Sequence, residues 1–223
     1  MRDIKKVIVS AYPGYEELHA IAKPSLQLFA RKHNYECRFY DTNPTDLPAS
    51  WAKVPYLIQA FEDGYDVAFW IDADAVIVNF DDDVPCPPTM HQALAQHIQS
   101  DGSSAINCGV WYLKKEALPF LKEVWATGPV LAANSVWWEQ NTVMQLLGIS
   151  VYPPYAVSAQ PNEYLQKVFD LPYAWNISPF DKRSFNSYGQ KFRILHAAGC
   201  GSVARRADIM RRWVHQLSVD KQT

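Results

Sequence analysis

Phe69-Trp70-Ile71-Asp72-Ala73-Asp74-Ala75-Val76-Ile77-Val78 is an apolar run broken by two carboxylates spaced i, i+2. The preceding stretch Val67–Ile71 is unbroken apolar, as expected of a parallel strand covered on both faces. Carboxylates are seldom fully buried unless paired or bound to a cation. A strand that ends in Asp-x-Asp therefore needs a counter-charge. Open α/β sheets gather ligands outside the carboxyl ends of their strands. A divalent metal carrying phosphate oxygens supplies such a charge. The alternative is a pair of aspartates that merely cap the next turn. On a regular strand Asp72 and Asp74 point to the same face, and hard oxygen ligands suit Mn²⁺ or Mg²⁺.

The segments before this strand predict β-α-β-α-β. Val7–Ala11 reads as a short buried strand, broken by Tyr12-Pro13-Gly14. A helix is predicted from Glu16 to His33, with Ile21, Leu28 and Phe29 inward and Pro24 as a kink. Tyr35–Tyr40 alternates as a second strand. Ser50 is expected to cap a helix running through Phe61, whose Val54, Leu57, Ile58 and Phe61 follow i, i+3, i+4, i+7. This is the first half of a doubly wound, mostly parallel sheet. No Gly-x-Gly-x-x-Gly follows the first strand and no Walker-A loop occurs, so neither a dinucleotide nor P-loop chemistry is implied.

Further along, His91–Gln99 reads as a short helix, Ala105–Leu113 as a strand, and Lys115–Trp125 and Trp138–Leu147 as helices. Residues 153–188 look like a loop-dominated wall of a site, rich in Pro, Tyr, Asn and Ser. Ile194-Leu195-His196 ends a short strand before Gly199-Cys200-Gly201. A last helix from about Val203 to Leu217 should bury Ile209, Met210, Trp213, Val214 and Leu217. One α/β domain over 1–223 is expected, with a donor half at 1–80 and an acceptor half with the C-terminal helix at 81–223.

Composition narrows the function classes. A formal net charge of −2 over 223 residues gives no global attraction to nucleic acid or acidic lipid. Cys37, Cys86, Cys108 and Cys200 form no Cys-x-x-Cys, which argues against zinc. No apolar run reaches membrane-spanning length and no leader is evident, so the expectation is a cytoplasmic protein. Asn176-Ile177-Ser178 is a formal glycosylation sequon of the kind that arises by chance.

Five separated segments point the same way. They are Ser50-Trp51-Ala52-Lys53-Val54-Pro55, Trp70-Ile71-Asp72-Ala73-Asp74-Ala75, Asn107-Cys108-Gly109-Val110-Trp111, Trp138-Glu139-Gln140-Asn141 and His196-Ala197-Ala198-Gly199-Cys200. With them the chain resembles the GT-A class of nucleotide-sugar glycosyltransferases, and most closely the retaining α-glycosyltransferases of the Golgi galactosyl/mannosyltransferase type. The resemblance implies a Rossmann-like GT-A domain, a hexosyl- or pentosyltransferase, a nucleoside-diphosphate sugar donor (UDP-linked) and Mn²⁺ or Mg²⁺. It implies Asp72, Asp74 and His196 as metal ligands, with Asp72 also reaching the nucleotide ribose. A nitrogen ligand tilts such a site toward Mn²⁺. Ser10, Ala11, Tyr12, Lys53, Ala73, Asn107, Gly109 and Gly199 are the expected donor contacts, with Tyr12 flanking the base. Glu139 and Gln140 are the candidates beside the anomeric carbon. The family's Lys after His-x-x-Gly is replaced here by Gly201-Ser202, with Arg205 or Arg206 as substitutes.

Residue chemistry keeps plainer readings beside these. Lys53 falls in a first helical turn, where the dipole disfavours a cation unless an anion is shared there. Glu139 suits a helix N-terminus for dipole reasons alone. Arg205, Arg206, Arg211 and Arg212 form either a solvated face or a contact for an anionic acceptor. The acceptor could be a glycan, a protein or a hydroxylated DNA base. Competing functions are a haloacid-dehalogenase-type phosphatase with Asp72 as nucleophile, a nucleotidyltransferase, and a non-catalytic sugar-binding module.

Overall fold

The computed structural model describes residues 3–98, 102–131, 138–150, 162–179, 181 and 192–220, with backbone alone at 129–131 and 216–220. In chain order the elements are β1 (Lys6–Ala11), α1 (Glu16–His33), β2 (Glu36–Tyr40), α2 (Lys53–Glu62), β3 (Val67–Ile71) and β4 (Ala75–Ile77). Then come β5 (Gln92–Ile98), β6 (Ser104–Lys114), α3 (Leu118–Leu131), α4 (Trp138–Leu146), β7 (Val168–Asp170), β8 (Ile194–His196) and α5 (Val203–Asp220). Six strands form a sheet in the order β2-β1-β3-β6-β5-β7, and β4 pairs with β8 in a two-stranded sheet. Within the large sheet only β6 runs against the rest.

β3 is central, and all five of its residues are buried. Its alternation divides the core. Ala68 and Trp70 face α2, α3 and α4 among Leu57, Phe61, Trp111, Phe120 and Val143. Val67, Phe69 and Ile71 face the other layer with Ile8, Leu26, Phe29 and Trp175. A strand covered on both faces has to be apolar throughout, which is why its hydrophobic run is continuous. A third cluster seats α5 on α1 and β4 through Leu18, Ala22, Val76, Ala207 and Met210. α1 carries Glu16 and Glu17 in its first turn, Arg31, Lys32 and His33 in its last, and ends on Asn34 at φ 62°. Both features match the helix dipole and the left-handed cap.

Several expectations need correction. His91–Gln99 is not helical: Gln92–Ile98 is β5, paired with β6 on one side and β7 on the other. Its alanines favour a helix locally, but Ala93 and Ala95 fill one core and Leu94 the other, so tertiary pairing overrides propensity. Ser50 caps nothing: a 3₁₀ turn, Ala49–Ala52, precedes α2, whose start has no side-chain cap. On α1 the inward residues are Leu18, Ala22, Leu26 and Phe29, whereas Leu28 is exposed. On α5 Val214 is exposed, and the side chain of Leu217 lies outside the described residues, as do residues 153–161, 180 and 182–188 of the expected loop wall. The helix expected from Lys115 starts as a 3₁₀ turn and continues as α3 to Leu131.

Gly128 in α3 gives a sign test of this packing. A Cβ there would lie 2.1 Å from Cη2 of the buried Trp51 ring. Helix propensity alone would make Gly128→Ala stabilising by about 1 kcal/mol. Overpacking against a fixed indole costs about 1–3 kcal/mol instead. The denaturant midpoint of Gly128→Ala should therefore fall at unchanged m-value.

Candidate active site at the end of the central strand

The chain leaves β3 in a turn closed by Ala75 N–H donating to Asp72 O at 3.1 Å, and the Asp72 N–H donates to Gly109 O on β6 at 2.8 Å. β4 then pairs with β8 so that His196 stands opposite Ala75. This register carries a side chain from late in the chain to the two aspartates. One ligand atom each from Asp72, Asp74 and His196 all lie within 4.8 Å of one another. His196 Nε2 is 3.1 Å from Asp74 Oδ1 and 3.7 Å from Asp72 Oδ2. Asp74 and His196 are buried, while Asp72 faces a cleft of about 630 Å³.

Two further cations serve these carboxylates. Arg206 of α5 donates from Nη1 to Asp74 Oδ2 at 3.0 Å and lies over the Tyr15 ring. Lys53, only 3% exposed, sits 2.6 Å from Glu139 Oε1 and 3.5 Å from Asp72 Oδ1, and donates to Cys108 O at 3.3 Å. Trp70 Nε1 donates to Asp72 Oδ1 at 2.6 Å. The counter-charge expected from a metal alone is thus partly supplied by the chain.

Burial alone would raise the Asp74 carboxyl, but His196 and Arg206 override it and hold Asp74 well below the usual carboxylate range. Burial would lower His196, but the two carboxylates raise it. Lys53 follows the same pattern: Asp72 and Glu139 outweigh its burial and raise it. The dipole argument against a lysine in the first turn of a helix is answered by this buried anion pair.

The cleft is lined by Ala11, Lys53, Asp72, Ala73, Asp74, Asn107, Gly109, Glu139, Gln140, His196 and Gly199, all of them expected from sequence. Ser10 and Tyr12 stand apart from that lining. Ser10 is fully buried within β1, and Tyr12 stacks on His19 at 3.9 Å, while Ala11, Pro13 and Tyr15 form the wall there. Gly109 is required by space: a Cβ would meet His196 Cε1 at 2.1 Å and Asp72 Oδ2 at 2.7 Å. Gln140 Oε1 accepts from Cys108 N–H at 3.2 Å, and Glu139 Oε2 is buried without a hydrogen-bond partner.

Sequence reasoning missed Asn176, which is fully buried with its side chain between His196 and Asn107. It passed over His97 and Asp181, which also line the cleft. It read Trp138 only as part of a motif. This residue is 43% exposed on the cleft wall and holds φ at 41°, a strained value for a bulky side chain. No local pattern could have found this role of Asn176, because its side-chain partners are all distant in sequence.

A sequence model of the galactosyl transferase GMA12/MNN10 family matches residues 17–107. This span holds Lys53, Asp72, Asp74 and Asn107 and stops short of Glu139, Gln140 and His196. No curated protein sequence matches. Among solved structures, a glycosyltransferase involved in glycosylation of the major capsid of PBCV-1 superposes with TM-score 0.69 at 20% identity, covering 93% of this chain and 99% of that one. The galactosyltransferase LgtC, in complex with donor and acceptor sugar analogs, gives TM-score 0.60 at 10% identity over 96% of this chain and 95% of that one. Mouse xyloside xylosyltransferase 1 gives 0.51 at 11%, covering 91% and 100%. The fold is that of the GT-A glycosyltransferases. The first half of the chain carries the sequence pattern of the galactosyl transferase GMA12/MNN10 family, in keeping with the resemblance read from the five segments.

Two outcomes follow from the packing at this site. Gly109→Ala pushes His196 against Asp72, and displacement of this order costs roughly 10²-fold in rate. Donor turnover should collapse while the circular dichroism spectrum is kept. Separately, burial and then Lys23 push the His19 imidazole down to about 4. Its contribution to stability is complete above the ordinary value of about 6.5 and is lost as pH falls from there toward 4. His19→Phe should flatten the stability profile over that window, measured by denaturation at each pH.

Proposed function

We propose that the protein is a metal-dependent glycosyltransferase that moves a sugar from a UDP-linked donor to an acceptor hydroxyl with retention of configuration. One observation carries this reading: the Asp72–Asp74–His196 cluster opens on a large cleft at a strand end of a GT-A fold. The residues fit a divalent ion. Their donor set is two carboxylates and an imidazole, and His196 Nδ1 already bonds Asn176, which leaves Nε2 for a ligand. A bound ion would neutralise charge on the departing diphosphate.

The chain's own residues supply the rest. Asp74 and His196 would hold the ion, and Asp72 faces the cleft beside them. Lys53 bridges Glu139 and Asp72 and fixes them in place. Gln140 holds its amide oxygen at the β6 backbone, with a lone pair left to face developing positive charge at the anomeric carbon. Ala11, Pro13 and Tyr15 form the nucleoside end, beside β1.

The resemblance to retaining enzymes supports retention, and the carboxylates of the acidic loop are all engaged. Asp81 faces Lys32, Asp82 pairs with Arg193, and Asp83 bonds Lys6 and Tyr35. Asp181 accepts from Ile98 N–H. The leaving phosphate oxygen then takes the acceptor's proton on the same face. Three of the four arginines of the last helix have carboxylate partners, Arg206 on Asp74, Arg211 on Glu17 and Arg212 on Asp208, which favours a glycan or protein hydroxyl over a DNA base as acceptor. The phosphatase alternative is disfavoured because the Asp-x-Asp lies on the third strand of a GT-A sheet.

Two measurements check this reading. Gln140→Ala should lower kcat more than it weakens donor binding, as expected of an interaction made mainly in the transition state. Proton NMR of the first-formed product should show the donor's anomeric configuration. An inverted product would mean that another group acts as base.

A further inference from the structure

We propose that Asn176 is a positioning residue that locks His196 in the Nδ1–H tautomer, so that the Nε2 lone pair is presented to a cation between Asp72 and Asp74. This rests on the metal reading above. The assignment runs from an atom that cannot change role. The backbone N–H of Gly109 donates to Asn107 Oδ1 at 2.9 Å. A backbone N–H only donates, so that atom of Asn107 is the oxygen. The near end of the Asn176 amide lies 3.0 Å from it and 3.4 Å from the Asn107 carbonyl. Both are acceptors, so this end is the NH₂. The far end is then the oxygen. It lies 3.0 Å from His196 Nδ1, which must carry a proton.

Nothing lets this chain slip. Asn176 is fully buried, and its own carbonyl bonds His97 Nε2 at 2.7 Å. Without an acceptor at Nδ1, the neutral ring would be free to place its proton on Nε2. There it would bond Asp74 Oδ1 and block ligation. The formal sequon at Asn176 is therefore not a glycan acceptor in the folded protein: its amide is consumed inside the site.

The test compares Asn176→Leu with Asn176→Asp in the full chain. Leucine removes the acceptor at Nδ1. Aspartate keeps that acceptor but turns its second oxygen against two Asn107 oxygens. Mn²⁺ affinity, read by electron paramagnetic resonance, should fall about 10–100-fold in Asn176→Leu and stay near wild type in Asn176→Asp. Thermal stability should fall in the opposite order, with Asn176→Asp the less stable. A merely structural role predicts that affinity follows stability, and that result would overturn the proposal. Wild-type Mn²⁺ affinity in Asn176→Leu would overturn it too. ¹⁵N NMR of the metal-free wild type, above the titration of His196, should show the Nδ1–H form; the Nε2–H form would sink the idea even if neither variant folds. A wild-type protein that binds no divalent ion would instead remove the metal reading itself.

Discussion

Three carboxylates and three cationic side chains meet where β3 ends, mostly out of water. Asp72, Asp74 and Glu139 face Lys53, Arg206 and His196, and the rest of the site is arranged around keeping that set balanced. Breaking a buried pair by removing one partner is costly, about 3–5 kcal/mol, because the remaining charge is left without compensation. Lys53 and Arg206 are permanent cations. His196 is the adjustable member, able to hold a proton or to give its place to a divalent ion.

The elements that deliver these groups come from distant parts of the chain. α2 brings Lys53, α4 brings Glu139 and Gln140, β8 brings His196, and α5 brings Arg206. β3 is their common reference because both of its faces are packed, which leaves its end with little freedom to move. Pairing of β4 with β8 turns that rigidity into register, placing His196 opposite Ala75 and hence between the aspartates. Gly109 lets the ring come close. Strain at Trp138 and the unpartnered Glu139 oxygen lie beside this centre, as expected where local stability is given up for function.

Much of this was legible in the sequence, for physical reasons. Val67–Ile71 declared itself a two-faced buried strand, and the aspartates after it demanded counter-charge. α1, α2, β8 and α5 followed from periodicity and end signals. Eleven of the expected positions line the cleft. β5 was misread because alanine-rich sequence favours a helix until two neighbouring strands claim it. Ser50 looked like a cap only because its residue type suits one. Arg206 was suspected for its charge, yet its partner Asp74 lies 132 residues away. Asn176 carried only a chance sequon, since its role consists of four hydrogen bonds that exist only after folding.

The most direct test of the central claim is thermal unfolding of the protein with UDP-sugars, with Mn²⁺ or with chelator. A donor at 100 times its dissociation constant should add about 2.7 kcal/mol, roughly 5–10 °C in Tm for a chain of this size. The shift should require Mn²⁺ and be lost in Asp74→Asn, which keeps the side chain's size and removes its charge. An equal donor-induced shift in chelator would contradict the account.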